Sequence, residues 1–129
     1  MDLLQELEVW YVIPTIRKEL ALAMKNKGLK QVEIAKRLDL TKSAITQYLN
    51  ESRGNEIKLT PELREQVSIS ANRIQSSQDT IREIQYLIGL SREQKVACQL
   101  HKVLDKTFSN CNLCFEQPLI TIGAKKWVT

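Results

Sequence analysis

Every cysteine of this 129-residue chain, and its only histidine, falls between residues 98 and 114. The order is Cys98, two residues, His101, nine residues, Cys111, two residues, Cys114. On a helix, residues three apart share a face, so Cys98 and His101 can point at one ion. Cys111-Asn-Leu-Cys114 is a CxxC knuckle whose two sulfurs can bind that same ion. Three thiolates and one imidazole make a set suited to tetrahedral Zn²⁺. Three thiolates equally suit an iron–sulfur cluster, with His101 or an outside ligand as the fourth. Free buried cysteines, or a disulfide across the CxxC, are the plainer alternatives. A cytoplasmic setting disfavours a structural disulfide, and confinement to one 17-residue window disfavours chance. Zinc leads, with an iron–sulfur cluster as the alternative.

A second constellation lies at residues 29–50, LKQVEIAKRLDLTKSAITQYLN. Val32, Ile34, Ala35 and Leu38 fall at helical spacing, and Ile45, Tyr48 and Leu49 repeat the pattern after Leu40. Thr41 is an N-cap that starts the second helix at Lys42. Two short amphipathic helices across a tight turn have a well-known use: the second enters the DNA major groove while the first braces it.

The stretch resembles the Cro and phage-repressor class of helix-turn-helix, often called XRE-type. The matching residues are Gln31, Glu33-Ile34-Ala35, Leu38, Leu40, Thr41-Lys42-Ser43-Ala44-Ile45 and Tyr48-Leu49-Asn50. The resemblance implies DNA-binding roles for Gln31, Lys42, Ser43, Thr46, Gln47 and Asn50. Lys42, Ser43 and Gln47 would face base edges, and Gln31 and Asn50 would hold phosphates. Lys42 stands where many members place Gln, and lysine prefers guanine O6/N7, or a phosphate, to adenine. Val12-Ile13-Pro14-Thr15-Ile16-Arg17 ahead of this stretch, with Cys98-Gln-Leu-His101 and the CxxC behind it, is similar to a family of small archaeal transcriptional regulators. That similarity covers most of the chain. Members of the family often carry a further CxxC just upstream of the position of Cys98. Here Ile84-Gln85-Tyr86-Leu87-Ile88 contains no cysteine, which leaves Cys98, His101, Cys111 and Cys114 as the candidate ligands.

Charge is distributed to match. The chain has 19 Lys+Arg against 15 Asp+Glu, net +4. Residues 14–54 hold nine basic residues (Arg17, Lys18, Lys25, Lys27, Lys30, Lys36, Arg37, Lys42, Arg53) and four acidic ones, a local +5. Residues 1–13 carry −3. Positive charge concentrated on a candidate reading segment is the footprint of a phosphate-binding surface.

The elements that must position these residues read as helices throughout. Asp2–Tyr11 predicts a short amphipathic helix with Leu3, Leu4, Leu7 and Trp10. Pro14 opens another through about Lys27, with Ile16, Leu20 and Met24 on one face and Gly28 just past its end. After a loop at 51–59, Thr60-Pro61-Glu62 starts a helix to about Ile74, with Leu63, Val67 and Ser70 inward. Ser76–Asp79 caps the next, holding Ile81, Ile84, Leu87 and Ile88. Gly89 is expected to break it, and Ser91 to open a last helix to about Lys106. A short strand at Leu119–Ile122 is conceivable in the tail. The fold class expected is all-α, a five-to-six-helix bundle containing the helix-turn-helix, with a small C-terminal metal-binding appendage. Residues 1–78 form the expected DNA-binding domain, and 79–129 the helical segment with the Cys/His site.

No run of 18 apolar residues is present, and the acidic N-terminus lacks the basic start of a signal peptide, so a cytoplasmic protein is expected. There is no Gly-rich phosphate loop and no Ser-x-Gly elbow, and the lone His is better used as a ligand; no enzyme is expected. Seven aromatics and no RNP-like strand weigh against RNA. The expectation is a transcriptional regulator that binds a double-stranded DNA operator as a homodimer, because one such module reads few base pairs and half-sites repeat about every 34 Å. Leu87, Ile88 and Leu90, or Leu3, Leu7 and Trp10, are candidates for the dimer contact. The alternative is a coactivator- or antitoxin-like module that uses the same helices to bind protein. Metal and acid-labile sulfide analysis of anaerobically purified protein tests the tail. One zinc per chain and no colour is the expected outcome, iron with sulfide identifies a cluster, and neither eliminates the site.

Overall fold

Two N-terminal helices are expected, and one continuous rod is found. The computed structural model describes residues 3–50, 54 and 57–104, with 101–104 described by backbone alone. Helix α1 (Leu4–Leu7) runs through a π-helical turn (Glu8–Val12) directly into α2 (Ile13–Asn26). Pro14 is the cause. It lacks an N–H, and its ring would press on the carbonyl four residues back. The helix therefore widens just ahead of it rather than ending. Ile13 N–H bonds to the Glu8 carbonyl across the wide turn, and the Thr15 hydroxyl donates to the Tyr11 carbonyl at 2.8 Å.

Helices α3 (Gln31–Leu38), α4 (Lys42–Leu49), α5 (Pro61–Arg73), α6 (Ser77–Glu93) and α7 (Val96–Leu104) follow, and all regular structure among the described residues is helical. The strand considered at Leu119–Ile122 lies outside those residues. None of the described helices is long and apolar enough to cross a membrane. Helix starts fall where the capping residues predict. The Thr60 hydroxyl accepts from Leu63 N–H at 3.2 Å, with Pro61 next, and the Ser76 hydroxyl accepts from Asp79 N–H at 3.3 Å. The Asp79 carboxylate in turn accepts from Gln75 N–H, which chiefly holds its pKa below the usual value.

At the centre lies α2, whose Ile16, Leu20, Ala21 and Met24 are fully buried. Helices α3, α4, α5 and α6 all pack on it. Burial of a single aliphatic side chain of this kind contributes about 1.5–3 kcal/mol, so this one face anchors its four neighbours. Helix α6, which spans residue 78, belongs to the same apolar cluster through Leu87 and Ile88.

Several sequence expectations are corrected here. Helix α6 passes straight through Gly89, because a mid-helix glycine costs only about 1 kcal/mol and the buried Leu87, Ile88 and Ser91 hold both sides of it. The break comes at Gln94-Lys95, where Lys95 is left-handed at φ 54°. Ile81 is exposed. Thr80, one position earlier, takes the inward place, because its hydroxyl donates to the Arg37 carbonyl. Of the residues considered for a dimer contact, Leu7, Leu87 and Ile88 are core and Leu90 is half-buried, while Leu3 and Trp10 are exposed.

Two long-range polar contacts lock the helices together. Glu8, 5% exposed, takes a bidentate pair of hydrogen bonds from Arg92 at 2.7 and 2.8 Å, tying the π turn to the end of α6. The Glu8 carboxylate that accepts those bonds raises the Arg92 pKa. Arg37 bonds Glu33 at 2.9 Å and the Ile74 carbonyl at 3.2 Å, fixing α3 to the end of α5. Past α4, Gly54 (φ 77°) lies buried against α2, where an added Cβ would come 2.7 Å from the Pro14 carbonyl oxygen. Gly54→Ala is expected to lower stability by about 2–4 kcal/mol through that clash and the left-handed backbone. Urea denaturation of the full chain measures it.

Candidate nucleic-acid interface

Helices α3 and α4 are joined by Asp39-Leu40-Thr41, and each part of the join has a local cause. Asp39 is left-handed at φ 53°. Leu40 N–H bonds back to the Ala35 carbonyl at 2.9 Å, and Asp39 N–H to Lys36 at 3.3 Å. This is a Schellman end, normally built on glycine. Thr41 then accepts from Ala44 N–H at 3.0 Å through its side chain and starts α4. Ile34, Ala35 and Leu38 of α3 and Ile45 and Tyr48 of α4 are buried. Ala35, with no side chain beyond Cβ, permits the close crossing, and Tyr48 anchors α4 from beneath.

What remains outside is the opposite face of α4. Lys42, Ser43, Thr46, Gln47 and Asn50 are all exposed, at positions that repeat every three to four residues and share one side of the helix. Gln31, the first residue of α3, is half-buried. The six residues singled out from the sequence thus lie on α4, just past its end, or at the start of α3. The Thr46 hydroxyl donates to the Lys42 carbonyl of its own helix at 3.0 Å.

Lys25 and Lys27 at the end of α2, Lys30 just ahead of α3 and Lys36 on α3 are exposed as well. Burial, and then the neighbouring Arg37 guanidinium, lower the pKa of Lys27, a sign of crowded positive charge beside α3. Arg37 itself is spent on Glu33 and Ile74, so it is a brace and not part of the outward charge. Val32 was expected to pack and is instead 64% exposed, because it sits about 200° around the helix from Ile34. It is an apolar spot within a basic surface.

Comparisons with family models, with curated proteins and with solved structures gave no match to this chain. Its role must be read from the surface itself.

The Cys/His set is only partly in view. Cys98 is buried in α7, which packs on α1 and the π turn. His101 follows one turn later in the same helix, described by its backbone. Cys111 and Cys114 lie outside the described residues, and among the described residues no three His, Cys, Asp or Glu side chains converge on a metal position.

Asp39 carries both a left-handed backbone and a negative charge at the carbonyl end of α3, each unfavourable. Asp39→Gly is expected to stabilise the chain by about 0.5–1 kcal/mol, less than the full relief because glycine also loosens the unfolded state. A rise in the thermal midpoint of a few degrees is the reading to look for.

Proposed function

We propose that this chain is a sequence-specific DNA-binding transcriptional regulator. In this reading α3, the turn and α4 form a Cro/phage-repressor-like helix-turn-helix, and α4 is the helix that enters the major groove. The observation that carries it is the outward face of α4. Lys42, Ser43 and Gln47 on α4 and Asn50 just past its end are exposed polar residues on one side of a helix held by an N-cap, a Schellman turn and a buried tyrosine, and lysines on and ahead of α3 are exposed too. Rigid presentation of short polar side chains suits base readout, and lysines on flexible stems suit phosphates. Lys42 and Gln47 read bases, guanine and adenine being the natural partners of an ammonium and a carboxamide. Lys30 and Lys36 neutralise the backbone.

Two copies act together on paired half-sites, since one α4 spans too few base pairs to specify an operator. Exposed Leu3, Val9 and Trp10, close together in the chain, offer apolar side chains to that contact. The same exposed residues favour the second reading, a module that binds protein through this fold. Cys98, His101, Cys111 and Cys114 form the zinc site of the C-terminal region, with an iron–sulfur cluster as the alternative. A thiolate on a buried helix face, one turn from an imidazole, is a donor pair that zinc accepts. When bound, the metal supplies a cross-link between α7 and the residues beyond it.

Binding to operator DNA selected from a random pool tests the reading. Lys42→Ala and Gln47→Ala should each cost about 1–3 kcal/mol of operator preference. Lys30→Ala and Lys36→Ala should weaken binding to all sequences alike and reduce the slope of log K against log salt by about one each. A protein adaptor would keep its activity in all four variants and select no sequence.

A further inference from the structure

Thr46 lies one turn beyond Lys42 on the exposed side of α4, and its hydroxyl proton is already taken up by the helix backbone. Oγ1 donates to the Lys42 carbonyl oxygen, which points along the helix, so the hydroxyl lies against the backbone. The side chain branches at Cβ, and with one branch turned to the backbone the other, the γ-methyl, is the group left to the surface. Thr46 itself is exposed. Between the ammonium of Lys42 and the carboxamide of Gln47, the helix thus presents an apolar point.

Among the four base pairs only those containing thymine show a methyl in the major groove, at C5. A hydroxyl turned outward could donate to or accept from several bases and would discriminate little between them. A fixed methyl has one complementary feature on the groove floor. We propose that Thr46 recognises a thymine by methyl–methyl contact, so that each half-site contains an obligatory A·T pair adjoining the pair read by Lys42. This inference rests on the reading of α4 as the groove-entering helix.

The test uses the full chain and the operator it selects. Each thymine is replaced singly by deoxyuridine, which removes the methyl and keeps every hydrogen-bonding edge. One thymine per half-site is expected to lose roughly fourfold in affinity, the equivalent of one methyl group no longer buried. Thr46→Val, which keeps a methyl, should retain that dependence, and Thr46→Ser, which keeps only the hydroxyl, should abolish it. Both variants change an exposed side chain, and equal thermal midpoints confirm that the fold is intact. The inference is overturned if no thymine matters by more than about twofold, or if Thr46→Ser still distinguishes thymine from uracil. Selection of no sequence at all would overturn the DNA-reading assignment and this inference together. A clear operator indifferent to the methyl would overturn this inference alone.

Discussion

The burial of one face of α2 is the constraint on which the rest depends. Ile16, Leu20, Ala21 and Met24 have no exposure to water, and four other helices meet on them. The α3–α4 pair is too short to be stable alone, since isolated helices of eight residues are marginal. It exists because Ile34, Leu38, Ile45 and Tyr48 find α2 and its neighbours beneath them. The outward face of α4 is consequently fixed in orientation by residues it does not contain. A ligand meeting that face finds a surface already ordered, with little entropy left to lose on binding.

Basic residues divide by chemistry between inside and outside. Among the described residues, Arg37 and Arg92 serve as internal struts, using the planar fork of the guanidinium to hold two acceptors at once. Lysines cover the surface around α3 and α4, where a mobile point charge needs no fixed geometry. The number of basic residues in a segment therefore overstates the cations it presents, although an internal pair such as Arg37–Glu33 leaves the net charge as it was.

Local signals were legible in the sequence, and distant partners were not. Thr41, Thr60 and Ser76 mark helix starts because a cap needs only the three residues that follow it. Of the six residues assigned to DNA, Lys42, Ser43, Thr46, Gln47 and Asn50 are exposed on or just past α4 and Gln31 is half-buried at the start of α3, positions that follow from helical spacing once the buried stripe is known. Thr80 displacing Ile81 from the core was invisible, since its reason is a carbonyl 43 residues away. The bracing role of Arg37 was hidden likewise, its partner in α5 lying 37 residues along the chain. Pro14 reads as the start of a new helix and Gly89 as a break; a widened turn carries the first helix into the second, and packing on both sides carries α6 through Gly89. Half of the Cys/His set lies beyond the described helices, and its reading remains one of composition and spacing.

The π turn has a consequence for phase. Leu4, Glu8, Val12, Ile16, Leu20 and Met24 are all buried, a strict four-residue repeat along the rod. In a regular α-helix each such step overshoots a full turn by about 40°, so the repeat would wind away from any flat neighbour within a few turns. A wider turn fits more residues into one revolution and gives back part of that drift. The segment Glu8–Val12 thus works as a gear between two stretches of helix, aligning Leu4 and Glu8 with the side that α2 buries. The orientation of the first two turns is set by a count of residues as much as by their kind. Loss of one residue there would rotate Leu4, Leu7 and Glu8 by about 100° relative to α2 and carry the Glu8 carboxylate away from Arg92 without changing a single side chain.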